Sequence, residues 1–163
     1  MDADVRDLPA ADHLLHTFAA ELALPEGTFG CTHLVRGDRP RVAVSLALPT
    51  EPLLRTAQER LIARGHAVSR GTPDATGRAV LYPGVASLTG TLTIADVLTR
   101  SAIDRVTVLG SPTRPALETP LVTWGHVRPL WQDDELVLTA VPAVGGTLVP
   151  FEVPDPTPCC ADH

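Results

Sequence analysis

The sequence predicts an α/β domain of mixed topology: one mixed β-sheet with a βαβ-like N-terminal part, a C-terminal antiparallel meander and two or three covering helices. Three observations carry this expectation. Helical and strand periodicities alternate through the first two-thirds of the chain. Near residue 110 the pattern changes to strand only. Neither part contains an apolar run of about 18 residues, the length a membrane-spanning helix needs.

The first helix is expected over residues 8–23. Asp7 stands at the N-cap, and Pro9 falls in the first turn, where its missing N–H costs nothing. Leu14, Leu15, Phe18 and Leu22 form one apolar stripe, and Pro25 and Gly27 end the segment. Leu34 suggests a short strand. Arg41–Leu48, RVAVSLAL, alternates as a strand does. A second helix over 51–64 follows, with Thr50 at its cap and Pro52 in its first turn. Leu53, Leu54, Ala57 and Leu61 share its buried face, and Gly65 is its stop. A strand at His66–Ser69 would complete the βαβ unit, with a right-handed crossover if its strands are parallel.

Gly71–Gly77 has turn chemistry, and Arg78–Tyr82 reads as a short strand. Thr93 and Asp96 resemble a capping box that opens a third helix over 94–101. Ile103–Leu109 reads as a strand, and the proline-rich 110–120 segment as a loop. Leu121–Val127, Glu135–Val141 and Thr147–Val153 are the three runs of the meander, with Asp133-Asp134 and Gly145-Gly146 as turns. Residues 1–153 are thus expected to form one globular domain, and residues 154–163 an extended, Pro-rich C-terminal tail.

A chain of 163 residues buries about 70% of its unfolded surface, enough to fold without a disulfide or a metal. The net charge is −6 and the 13 basic residues are scattered, which argues against nucleic acid or a membrane surface as a partner. Every basic residue is Arg: the chain contains neither Lys nor Asn. Schiff-base chemistry, covalent pyridoxal phosphate and a phosphate-loop lysine are therefore excluded. The acidic start lacks the features of a signal peptide. The three cysteines, two of them adjacent, do not suit a disulfide framework, and a reducing, cytoplasmic location is expected.

The leading functional reading from the sequence is binding of a soft transition metal, zinc or copper(I), by a Cys/His cluster. Cys31 and His33 would supply one half, and Cys159, Cys160 and His163 at the tip of the tail the other, since thiolate and imidazole are the preferred ligands of both ions. The bland alternative is a small buried core cysteine and an unordered tail. A second reading is a small-molecule enzyme or binding protein with a pocket at Trp124, His126 and Arg128. These residues alternate along one strand and would combine an aromatic wall, a candidate acid/base and an anion clamp. A third is an interaction protein that offers its Pro-rich tail to a protein partner.

Asp133, Asp134 and Glu135 read as a solvated turn, and His13 with His16 as surface residues of a helix. Ser45, Ser69, Ser87, Ser101 and Ser111 lack the strand-to-helix turn of a nucleophile elbow. Whether the protein is an enzyme, and which substrate or partner it takes, the sequence leaves open.

Overall fold

The structure is a computed structural model that describes residues 2–5, 7–37, 40–73 and 75–154, with side chains from residue 7 onward. The predicted class is observed: one mixed sheet with three helices. Helix α1 spans Leu8–Leu22. Asp7 caps it by accepting a 2.8 Å hydrogen bond from the Ala10 N–H, and Ala23 ends it in the left-handed region at φ 50°. Its stripe is buried: Leu15 and Phe18 are almost wholly enclosed, each contributing about 1.5–3 kcal/mol of transfer free energy.

Helix α2 spans Glu51–Ala63. Thr50 occupies its N-cap position without a side-chain cap hydrogen bond. Gly65, at φ 85°, donates its N–H to the Ile62 carbonyl and closes the last turn as expected. Helix α3 spans Ile94–Arg100, and the predicted capping box of Thr93 and Asp96 is formed in both directions.

Among the described residues ten strands join one sheet. They are β1 (Asp2–Val5), β2 (Phe29–Val35), β3 (Arg41–Ala47), β4 (Arg78–Leu81), β5 (Gly90–Thr93), β6 (Arg105–Val108), β7 (Pro120–Thr123), β8 (Leu130–Gln132), β9 (Glu135–Pro142) and β10 (Leu148–Pro150). Nine follow the order β1-β3-β2-β4-β8-β9-β10-β7-β5, and β6 lies parallel to β9. The meander proper is β8-β9-β10, antiparallel throughout, while β7 joins by a parallel contact with β10.

The βαβ-like part differs from the expectation in one respect. His66–Ser69 is not a strand; the chain runs on to β4 before it re-enters the sheet. Strands β3 and β4 are each antiparallel to β2, so they run parallel to each other with β2 between them. The unit is therefore a split βαβ, with α2 in the crossover.

This arrangement divides the two faces of β2 and β3. Val42 and Val44 pack with Leu15, Phe18 and Leu61 of α1 and α2 in one hydrophobic cluster. Cys31 belongs to a second cluster, which includes Val97 of α3 and Leu136 and Leu138 of β9. Side chains alternate across a strand, so the odd-numbered residues of β2 and β3 face away from α1 and α2. No helix among the described residues is long and apolar enough to cross a membrane.

Candidate functional site

Three odd-numbered residues of β2, Phe29, Cys31 and His33, line one open pocket of about 640 Å³. Strand β3 supplies its neighbouring wall, because the register places Ala47 opposite Phe29 and Ser45 opposite Cys31. The third wall is Trp131 of β8, whose ring lies 5.6 Å from that of Phe29 at an interplanar angle of 55°. Asp133 and Asp134 stand at the rim, and Thr72 with Ala75, Thr76 and Gly77 closes the remaining side.

Gly77 makes this closure possible. The Trp131 N–H donates to its carbonyl at 2.9 Å. A Cβ at Gly77 would sit 3.2 Å from both His33 Cε1 and Trp131 Cδ1, tighter than side chains ordinarily approach. The bare backbone lets the imidazole and the indole converge on the pocket.

The polar groups on the floor are ordered by a chain of two hydrogen bonds. His33 Nδ1 lies 3.0 Å from the carbonyl oxygen of Ala75, and Nε2 lies 2.8 Å from Ser45 Oγ. A carbonyl can only accept, so Nδ1 carries the ring proton. Burial lowers the His33 pKa below its ordinary 6.5, which keeps the ring neutral. Nε2 is then an acceptor, and Ser45 donates its single hydroxyl proton to it. What Ser45 leaves for the pocket is oxygen lone pairs.

The rim turn is conformationally demanding. Asp133 and Asp134 link β8 to β9 as a two-residue hairpin, and both have positive φ, 49° and 65°. That is the type I′ geometry, in which Gly and Asn are the relaxed choices and Asp is tolerated at some cost. The turn thus holds two carboxylates at the pocket mouth where uncharged residues would fit with less strain.

These contacts overturn the soft-metal reading. Cys31 and His33 share a face of β2, but their chemistry is that of a floor and not of a ligand set. Both His33 nitrogens are engaged, and burial pushes the Cys31 thiol up to about 11. Among the described residues no group of three His, Cys, Asp or Glu side chains is arranged to hold an ion. Cys159, Cys160 and His163 lie outside the described residues, as does the tail from residue 155 onward that the interaction reading invoked.

The second predicted constellation is separated by the structure. Strand β7 ends at Thr123, so Trp124, His126 and Arg128 do not alternate on one strand; Trp124 is 57% exposed. His126 and Arg128 turn inward to a different partnership. Arg128 Nε donates to Asp12 at 2.9 Å, and His126 Nε2 lies 3.0 Å from Glu152 Oε1.

Arg78 is the hub of that partnership. Its guanidinium reaches both oxygens of Asp12, at 2.6 and 3.1 Å, and Thr32 Oγ1 at 3.1 Å. Nε donates to Glu152 at 2.7 Å, and Nη2 also bonds the same carboxylate. All five N–H donors of this buried arginine therefore have acceptors. Two guanidinium cations offset two carboxylates, and the set ties α1, β2, β4 and the 124–129 segment to the 151–154 segment.

Compared with protein-family models, curated proteins and solved structures, the chain matches none of them.

Phe29, Ser45, Gly77, Trp131, Asp133 and Asp134 complete the site, and sequence reasoning joins none of them to Cys31 and His33. For Phe29 the signal is parity: once Phe29–Val35 is recognised as a strand, Phe29, Cys31 and His33 must share a face. Placing Ser45 beside them requires the β2–β3 register, which the sequence does not display.

Proposed function

We propose that the protein binds a small aromatic molecule carrying a protonated amine or amidine, in the pocket between β2, β3, β8 and residues 75–77. The observation that supports this most directly is the hydrogen-bond inventory of the floor. With its proton donated to His33, Ser45 presents only acceptor lone pairs, so it selects a ligand that donates. The rim points the same way, because Asp133 and Asp134 favour a cation at the mouth. Phe29 and Trp131 offer an apolar wall and a π-face to an aromatic ring or to its charge. A volume of about 640 Å³ is in the range of small-molecule sites, and the net charge of −6 steers cations inward. The free Cys31 thiol on the floor suits a reducing, cytoplasmic compartment.

The test is a fluorescence titration with benzamidine. Trp124→Phe removes the exposed indole and leaves Trp131 as the reporter. Benzamidine is expected to change the Trp131 emission saturably, and benzoate, the same ring with the opposite charge, is not. Asp133→Asn with Asp134→Asn keeps residues that tolerate the left-handed turn while removing both charges, and should weaken binding and flatten its salt dependence. In the native sequence, Trp131→Ala should cost about 1–2 kcal/mol of affinity by calorimetry, roughly 5- to 30-fold in Kd. An equal response to benzoate, or benzamidine binding that ignores both aspartates, refutes the reading.

A further inference from the structure

We infer that Ser45 is a nucleophile activated by His33, and that it is acylated by esters bearing an aromatic, cationic group. This rests on the ligand class proposed above and adds a reaction to it. The geometry is that of a general-base pair held by a third group. Ser45 Oγ lies 2.8 Å from His33 Nε2, within the reach proton transfer needs. The Ala75 carbonyl, 3.0 Å from Nδ1, fixes the tautomer and the ring orientation, and stabilises the imidazolium when it forms.

Two features set the pair apart from a sealed structural hydrogen bond. Ser45 is half-buried and lines the open pocket, so its lone pairs are reachable. His33 is 1% exposed, so water has little access to the proton it takes up. Cys31 sits beside Ser45 in the register, but burial keeps it as the thiol. The oxygen and not the sulfur is the group with a base.

The step balances without a cofactor. Ser45 Oγ forms a bond to the ester carbonyl carbon while its proton passes to His33 Nε2. The tetrahedral adduct then breaks its bond to the alkoxy oxygen, and the leaving alcohol takes the proton from Nε2. Water attacks the acyl-serine through the same base, releases the carboxylic acid and restores Ser45. The overall reaction consumes one ester and one water.

The test uses 4-(2-aminoethyl)benzenesulfonyl fluoride, an aromatic ammonium compound whose sulfonyl group is captured by an activated serine with loss of fluoride. The full chain is incubated with it, weighed intact and mapped by peptide. One adduct on Ser45 is expected, formed faster than with the uncharged phenylmethanesulfonyl fluoride. The absence of lysine removes the commonest competing amine from the side chains. Ser45→Ala should carry no adduct, and in Cys31→Ala the adduct should still map to Ser45. His33→Gln should slow labelling by about 100-fold or more, with its thermal melt recorded to show that it folds. No adduct on Ser45, or an adduct on Cys31 or Tyr82 in its place, overturns the nucleophile while benzamidine binding, where it persists, leaves the binding reading intact. Loss of both labelling and benzamidine binding overturns both.

Discussion

Replacing Arg78 by methionine should lower the free energy of unfolding by about 3–5 kcal/mol, the usual cost of removing one partner from a buried ion pair. The loss comes from what remains. Asp12 and Arg78 have side chains only 11% and 9% exposed, and without the guanidinium the Asp12 carboxylate keeps one partner in place of two. Chemical denaturation measures the effect. The double variant Asp12→Asn/Arg78→Met should lose less than the sum of the single variants, by about 0.5–3 kcal/mol, because the two residues share one interaction. A loss below about 1 kcal/mol for Arg78→Met would place the network in the class of solvated surface pairs.

The same network sets the acid limb of stability. Burial by itself would raise the carboxyl pKa values, but hydrogen bonds from Arg78, joined by Arg128 at Asp12 and His126 at Glu152, outweigh it. Both groups end below their ordinary 3.8 and 4.5. A depressed carboxylate contributes stability that is complete above its unfolded pKa and is lost as the pH falls toward the folded one. The native chain should therefore lose stability below about pH 4.5, and Arg78→Met should show a shallower decline there.

The second large effect is expected at Gly84. This residue has φ 81° and packs against the end of α3, where Ala102 donates its N–H to the Pro83 carbonyl at 2.9 Å. A Cβ at Gly84 would lie 1.9 Å from the Arg100 carbonyl oxygen and 2.6 Å from Ser101 Cα, both backbone atoms that no rotamer change can move. Gly84→Ala should cost about 2–5 kcal/mol, from the left-handed conformation and the forced separation of the two segments together. For a chain of this size that is a fall of roughly 4–20 °C in Tm. Gly125→Ala is the control: φ is 70° there and nothing lies within 4 Å, so only the conformational cost of about 1–2 kcal/mol applies. Equal losses at the two positions would show that the contact with α3 yields freely.

The helices were legible because each carries its own evidence within one segment. Asp7, Pro9 and the Leu15–Phe18–Leu22 stripe of α1, and the Thr93–Asp96 box of α3, need no distant partner. Strand β2 was legible only near Leu34. Its middle residues, Cys31, Thr32 and His33, show no apolar–polar alternation, because both faces are buried and each polar group is satisfied from elsewhere: His33 by Ser45 and Ala75, Thr32 by Arg78.

The site suffered from the same non-locality. Ser45 has no local nucleophile elbow; its hydrogen-bond partner His33 lies on the neighbouring strand, 12 residues away. The spacing of Cys31 and His33 carries no information on burial, and burial makes of the expected metal-ligand pattern an uncharged floor. His126 and Arg128 were singled out for reactive side chains that the fold spends on Glu152 and Asp12.

The sequence separations within the Arg78 network bear on how the chain unfolds with time. Asp12 meets Arg78 across 66 residues and Arg128 across 116, and Arg78 meets Glu152 across 74. Contacts between residues far apart in the sequence cost loop-closure entropy before they are rewarded, so this network is expected to form after the local helices and the β2–β3 hairpin. An interaction absent from the folding transition state acts on the escape rate from the native basin and hardly on the rate of entry. The guanidinium of Arg78 is then expected to act as a latch, with Arg78→Met speeding unfolding more than it slows folding in stopped-flow denaturant jumps.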